Sequence, residues 1–555
     1  MTEILTPKLA SVLAEGYSPA RLKADALSGM TVAIVALPLS MAIAIASGVT
    51  PDRGLYAAIV GGFIVSALGG SRFQVGGPAG AFIVLVAATV ARHGVEGLLL
   101  ATFLSGIFLA LAGWFRLGKY IKLIPFPVTV GFTAGIAVII FASQIGELFG
   151  LRLAGPEPGP IVEKLTALWQ ARPTFNPAAF GVAGLTVAVI LVLRRLRPGW
   201  PNLLIGVAVA SLVTAAFSLP ADTIGSRFGG IPRGLPVPAF PSLSPELFIA
   251  VLPDAVAFAL LGAIESLLSA VVADGMTGRR HRSSMELIAQ GVANMASALF
   301  GGVCVTGTIA RTATNVRSGA TSPISGMLHS AFLLAFMLVA APLAGYIPLA
   351  ALAGVLAVVS FNMIERPAIA ALIRSSRGDA AILAVTFLLV VFRDLTEGIV
   401  VGFLLGAVLF IDRMGKAVDV REESVPRVVR AMENASEDSG LPERPVVADD
   451  PDTVIYRISG VFFFGAAASV GAVLDRIADQ RRNFVLDCTD VPFLDSTAAS
   501  IVEGLVRKGE HSGVRIFIAG LRPDMRRLLE AHDIHPPRVT YSATTDEAMA
   551  IIAAG

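Results

Sequence analysis

The chain has 555 residues, 55% hydrophobic and only 15% charged, with a mean hydropathy of +0.75; soluble domains carry about 25% charged residues. That balance places most of the chain in a membrane, and a net charge of +2 leaves no basic excess for a nucleic-acid partner. Two cysteines, Cys304 and Cys488, cannot make a disulfide framework.

Residues 1–20 lack an apolar core of signal-peptide length, and 1–24 read as an uncleaved cytoplasmic N-terminus. From there the apolar residues fall in runs of about 17–22, enough to cross the hydrocarbon core. The expected spans are 25–46, 54–70, a half-helix at 78–91, 97–114, 127–149, 176–194, 202–218, 249–272, 284–301, a half-helix at 308–317, 322–344, 347–362, 378–393 and 396–413. Residues 25–413 are thus one transmembrane domain. Basic clusters recur at Arg21/Lys23, Arg72, Arg116/Lys119/Lys122, Arg194/Arg195/Arg197, Arg279/Arg280/Arg282, Arg366/Arg374/Arg377 and Arg413/Lys416. With those clusters inside, both termini are cytoplasmic, the crossings number about fourteen, and in a bacterium the membrane is the inner one.

Two of these spans are broken at corresponding places. Ser66-Ala67-Leu68-Gly69-Gly70 is followed by Val75-Gly76-Gly77-Pro78-Ala79-Gly80, and Ser297-Ala298-Leu299-Phe300-Gly301-Gly302 by Thr306-Gly307-Thr308-Ile309-Ala310-Arg311. Broken backbone at membrane depth survives only around a cavity or inside protein. Matching breaks in two halves mark the binding site of a secondary transporter. The half-helices sit third and tenth, a repeat length of seven, and an odd repeat puts the halves in opposite orientations as an inverted repeat. Each half-helix N-terminus exposes unpaired N–H groups and a positive dipole end, which together make an anion site.

At that site Gly76, Gly77 and Gly80 let a ligand approach the backbone, while Thr308 and Thr312 add hydroxyl donors. Arg311 lies within the second half-helix; an intramembrane arginine needs a cavity or a partner, and its charge argues for an anionic substrate. Glu265, in Leu260-Leu261-Gly262-Ala263-Ile264-Glu265-Ser266, is the most isolated membrane carboxylate. It either carries a proton with the substrate or forms a static pair with Arg311. Asn294, Gln144 and Glu147 are weaker candidates. No Walker loop, metal-ligand spacing or nucleophile–base arrangement is present, so neither ATP-driven pumping, a cofactor nor an enzyme is expected.

Residues 414–450 read as a polar linker, and 451–555 as a small α/β domain with strands at Thr453–Ile458, Asn483–Asp487 and Val514–Ala519. Helices are expected at Ala466–Asp479, Ser496–Lys508 and Met525–Ala531. Asp495-Ser496 stands at a strand-to-helix turn, where either side chain can cap the helix and Ser496 could take a phosphate.

These features resemble the SulP anion transporter family. The resemblance rests on Ser47-Gly48-Val49-Thr50-Pro51-Asp52-Arg53-Gly54-Leu55-Tyr56, Gly262-Ala263-Ile264-Glu265-Ser266 through Gly275-Met276-Thr277-Gly278, and Asn315-Val316-Arg317-Ser318-Gly319-Ala320-Thr321-Ser322. The tail resembles a STAS domain, which in other members can engage a cytosolic protein partner. The resemblance implies fourteen segments in a seven-plus-seven inverted repeat, core and gate bundles, homodimers and elevator-like transport. It places the anion at Gly77, Ala79, Thr308, Ala310 and Arg311; where relatives carry a serine before the arginine, this chain has Ala310. Glutamate at position 265 resembles the proton-coupled branch, so H+ is the expected coupling ion. The segments around Glu265 and Asn315–Ser322 look closest to carriers of C4-dicarboxylates, so the expected function is proton-coupled symport of fumarate or succinate. Sulfate or bicarbonate transport, exchange, an anion channel, a nucleobase carrier and a non-transporting STAS signalling protein are the competing readings.

Overall fold

A computed structural model describes residues 5–121, 125–155, 157–197, 200–393, 395–423, 426–429, 446–449, 452–464 and 482–554. The chain divides into two units, Met1–Leu404 and Leu405–Gly555. Among the described residues, eight helices are long and apolar enough to cross a membrane.

In the first unit a short helix, α1 (Lys8–Ala14), precedes α2 (Pro19–Ala46). Ser18 caps α2 by accepting the Arg21 N–H, and Pro19 takes the first position, where a missing donor costs nothing. The second crossing is α3 (Pro51–Tyr56), a π turn at Ala57–Gly61, and α4 (Gly62–Leu68). The π turn lies where Val305 packs onto Gly61, leaving no room for a Cβ there. The first break follows: strand β1 (Gly76–Gly77), a 3-10 turn at Gly80–Phe82, and α5 (Ile83–Trp114). The expected half-helix and the span after it are joined within α5 by a kink at Gly94, whose φ of 67° favours glycine. Then come α6 (Gly118–Ile121), α7 (Phe126–Phe149), α8 (Ile161–Gln170), α9 (Pro177–Leu196), α10 (Asn202–Ala216) and α11 (Ile224–Phe228).

The second half repeats the order. α12 (Pro245–Thr277) and α13 (Ser283–Leu299) lead to strand β2 (Thr306–Gly307) and the half-helix α14 (Ile309–Arg317). α15 (Ile324–Ala344), α16 (Leu349–Met363), α17 (Arg366–Ser375), α18 (Arg377–Phe392) and α19 (Leu395–Lys416) complete it. Helices α8 and α17 were not expected. Both are ten-residue helices with one apolar face, too short and polar to show in a search for spans.

Two bundles result. In one, α5 packs along α12 and α13, α2 along α15, and α4 on α13 and α15; in the other, α7 packs on α16 and α18, and α9 on α10 and α16. Small residues make these approaches possible. Gly106 of α5 and Gly291 of α13 face each other so closely that a Cβ on either would lie 2.6 or 2.5 Å from the other's carbonyl oxygen.

The second unit holds a five-stranded sheet of order β3-β6-β7-β8-β9, made of β3 (Asp419–Glu423), β6 (Thr453–Ser459), β7 (Asn483–Asp487), β8 (Arg515–Ala519) and β9 (Thr540–Ser542). Strand β3 is antiparallel to β6 and the remaining pairs are parallel. A separate antiparallel pair joins β4 (Pro426–Val429) to β5 (Val446–Asp449). All three of β3, β4 and β5 fall in the stretch expected as linker; Val418 and Val420 alternate onto the sheet's core and draw β3 into it. Helices α20 (Ser496–Ser512), α21 (Pro523–Ala531) and α22 (Thr545–Ala554) pack on the sheet. The helix expected at Ala466–Asp479 lies outside the described residues. Cys488 is buried, and burial pushes its thiol up to about 12.

Gly291→Val should lower the unfolding temperature of the purified protein in detergent through overpacking worth about 1–3 kcal/mol. Gly504→Ala, on the exposed face of α20 with nothing within 4 Å of its added methyl, should leave it unchanged or raise it.

Candidate functional site

The two breaks meet. β1 and β2 pair antiparallel, with Gly76 opposite Gly307 and Gly77 opposite Thr306. The Thr308 N–H donates to Val75 O at 3.1 Å, and its hydroxyl reaches the same oxygen at 3.4 Å. Opposed chain directions at this crossing are what an inverted repeat requires. The strands give buried backbone groups partners at a depth where water cannot reach them. From the crossing, the 3-10 turn and α14 depart with N-caps at Ala79 and Thr308, and no side chain caps either. Both N-termini therefore keep the partial positive charge of an uncapped first turn.

Arg311 connects them. Its side chain is 1% exposed, and it donates to Ser40 Oγ at 3.0 Å, Pro78 O at 3.3 Å and Gly76 O at 3.5 Å, all on α2 or the first break. Its Nε has no hydrogen-bond partner among the described residues. A Cβ at Gly77 would fall on the guanidinium, so glycine there makes room for the arginine as well as for a ligand. The expected alternative of a static pair is not seen: among the described residues no ion pair joins Arg311 to Glu265 or to any other carboxylate. A buried cation satisfied only by neutral groups leaves a net positive field, which favours an anion.

The other expected residues divide. Gly76 and Ala79 are buried at the crossing, while Gly80 is partly open. Ala310 is exposed, together with Ile309, at the start of α14, so ligand would meet backbone at that point. Thr312 is fully buried and its hydroxyl accepts from Val75 N–H at 3.2 Å and Ser269 Oγ at 3.0 Å, a tie between the first break and α12 rather than an open donor. Glu265 is partly exposed, and among the described residues no hydrogen bond or ion pair engages it. Leu261 and Ile264 are buried on the α12 face that opens beyond Glu265, at Leu268, Val271, Val272 and Met276. Of the weaker candidates, Glu147 pairs with Arg227 at 2.5 Å and Gln144 only returns to Ile140 O of its own helix.

Asn294 does more than cross-link helices. Its amide oxygen accepts Val305 N–H at 2.9 Å and its amide nitrogen donates to Val305 O at 2.7 Å, pairing with the chain ahead of β2 as a neighbouring strand would. Two turns earlier on α13, the fully buried Glu286 accepts the Gly70 and Ser71 N–H groups at 2.8 and 3.1 Å and the Gln290 amide at 2.9 Å, holding the turn ahead of β1. One helix thus positions both breaks. Glu286 escaped sequence reasoning because it stands near the expected start of a span, beside polar residues. Gln74 also escaped; its amide donates to Ser266 O at 3.1 Å, fixing the residue after Glu265. Asn315 joins Ser28, Ser325 and Phe73 O, and Asp25 accepts from Tyr17, Thr321 and Ser322, which explains the polar run from Asn315 to Ser322. In the second unit Asp495 caps α20 through the Ala498 N–H at 2.9 Å, and Ser496 beside it is exposed.

Residues 22–386 match the model of the sulfate permease family, and residues 444–548 that of the STAS domain. The chain belongs to the sulfate permease (SulP) family. It is 38% identical over 519 residues to a putative sulfate transporter of Bacillus subtilis, covering 93% of this chain and 94% of that one. It is 30% identical over 520 residues to the bicarbonate transporter BicA of Picosynechococcus, covering 92% and 90%. The structure of the murine Slc26a9 anion transporter in the inward-facing state superposes with a TM-score of 0.84 at 18% identity, covering 99% of this chain and 94% of that one. The membrane-domain fold with an appended STAS sheet is therefore that of an anion transporter family. The expected likeness to dicarboxylate carriers finds no support in these relatives, whose names are sulfate and bicarbonate.

Asn294→Asp keeps an acceptor for the Val305 N–H but removes the donor to its carbonyl. Leaving that buried group unpaired should cost about 1–3 kcal/mol, read as a lower unfolding temperature than wild type.

Proposed function

We propose that this protein is a secondary transporter of an inorganic oxyanion, sulfate or bicarbonate, rather than of a C4-dicarboxylate. The observation that carries the reading is Arg311: a buried guanidinium with no carboxylate partner among the described residues, bridging two uncapped half-helix N-termini. Backbone N–H groups at a helix start suit a small anion. The relatives named for sulfate and bicarbonate support the inorganic choice, and the sulfate relative is the more similar of the two cited. Ala310 adds no hydroxyl, so recognition rests on charge and backbone; Gly77, Ala79, Thr308 and Arg311 would hold the ion.

Transport would proceed by an elevator-type displacement of the bundle that carries both breaks. A Cβ at Gly80 would touch Ile140 of α7 at 3.2 Å and Met363 of α16 at 3.9 Å, so the second bundle supplies the surface against which the site slides. Opening of the α12 face beyond Glu265 supports a cavity entered from the Thr277 end, which the basic loop at Arg279, Arg280 and Arg282 marks as cytoplasmic. Both termini would then be cytoplasmic, in the inner membrane of a bacterium, with a homodimer as the working unit. Glu265, with no partner among the described residues and on the same open face, would carry a proton with the anion. The STAS domain would meet a cytosolic partner, and phosphate on exposed Ser496 would add charge at the start of α20.

Uptake of labelled sulfate and bicarbonate into vesicles containing the purified protein tests this. Arg311→Ala should abolish uptake, and Glu265→Gln should remove its acceleration by an inward proton gradient. Uptake of labelled fumarate with no uptake of either inorganic anion would return the dicarboxylate reading; Arg311→Ala with unchanged flux would overturn the site.

A further inference from the structure

At one end of the core bundle three segments converge on a cavity that the transport site does not use. The Lys8 N–H of α1 donates to Gly69 O, and the Arg282 N–H from the α12–α13 turn donates to Gly70 O, both at 2.9 Å. The Arg282 guanidinium also reaches Thr6 O at 2.8 Å and Thr6 Oγ1 at 2.7 Å. Between these segments lies a cavity of about 430 Å³ lined by Lys8, Arg72, Thr277, Gly278, Arg279 and Arg280. A second, of about 410 Å³, adjoins the same Arg279 and Arg280 on the side of Val271 and Asp274.

Positive charge is in excess there. Arg72 is paired with Glu15, and Asp274 is engaged by the His281 ring at 2.6 Å and backbone N–H at 3.1 Å. Lys8, Arg279 and Arg280 have no side-chain hydrogen bond or ion pair among the described residues. Burial, then the neighbouring Arg282 and Arg72, outweighs Asp274 and Glu15 and holds the Lys8 ammonium below its usual range. The cations lining the cavity, Lys8, Arg72, Arg279 and Arg280, outnumber the nearby carboxylates Glu15 and Asp274, and a bound anion stabilises such an excess. Two guanidiniums and an ammonium around one hollow suit a group with several charged oxygens.

We infer that the cavity between Lys8, Arg72, Arg279 and Arg280 is a binding site for a phosphate group, separate from the transport site. Such a group comes either from the head of an anionic phospholipid at this membrane face or from a phosphorylated solute. Its occupancy bears on transport through the chain itself: the Gly69–Arg72 turn that it would brace is held by Glu286 and runs directly into β1.

The test uses the full-length protein in two arms, one in detergent titrated with inorganic phosphate, the other in phosphatidylcholine nanodiscs with and without phosphatidylglycerol. The unfolding temperature is read in both. Stabilisation by phosphatidylglycerol alone assigns a lipid head; stabilisation by phosphate assigns a soluble ligand. Either effect should weaken at least about tenfold in apparent affinity in Arg279→Gln/Arg280→Gln, whose side chains are exposed, and also in Lys8→Gln, while Arg311→Ala keeps it. No stabilisation in either arm, an unaltered response in both variants, or a response lost in Arg311→Ala would overturn the inference.

Discussion

The structure depends on the antiparallel contact between two chain breaks inside a membrane domain. A helix that stops at bilayer depth leaves N–H and C=O groups that lipid cannot satisfy. Here each break meets the other: Gly76 pairs with Gly307 and Gly77 with Thr306, while Asn294 supplies a side-chain substitute for a third strand beside Val305. Once the lead-in segments are satisfied in this way, the N–H groups of the two following first turns are the ones left over. The candidate site is thus a remainder of backbone pairing, set by geometry before any side chain contributes.

Arg311 gives that remainder its sign and its rigidity. Lying on the second half-helix and donating to Pro78 O and Gly76 O of the first, it ties the two starts together and has no carboxylate partner among the described residues. Its position explains the glycine at 77, whose missing Cβ is the space the guanidinium occupies. The arrangement is supported from behind by a polar edge of α13 and by Asn315, which joins α2, α14 and α15 through Ser28 and Ser325. Such a block resists deformation, because each hydrogen bond lost in its buried interior would go unreplaced.

The sheet of the second unit obeys different physics. Its central parallel strands, β6 and β7, are buried on both faces. Asp487 shows the contrast with the membrane: burial alone would raise its carboxyl, yet the Thr489 hydroxyl and N–H and the Arg457 guanidinium outweigh that and hold it below its usual range.

Sequence by itself determined the spans, because the hydrocarbon core demands long apolar runs and every such run became a helix close to its expected bounds. It also determined the two breaks, since Gly-Gly followed by Gly-rich polar sequence cannot continue a membrane helix, and the strands at Asn483–Asp487 and Thr453–Ile458. Short amphipathic α8 and α17 were hidden because their cue is a face, not a run. Partners were hidden too. Nothing in the order of residues says that Glu286 would hold Gly70 or that Arg311 would take backbone oxygens and Ser40 instead of Glu265; those choices depend on which helices lie side by side. Local chemistry fixes where a chain must break or span, whereas only packing in three dimensions decides which buried group satisfies which.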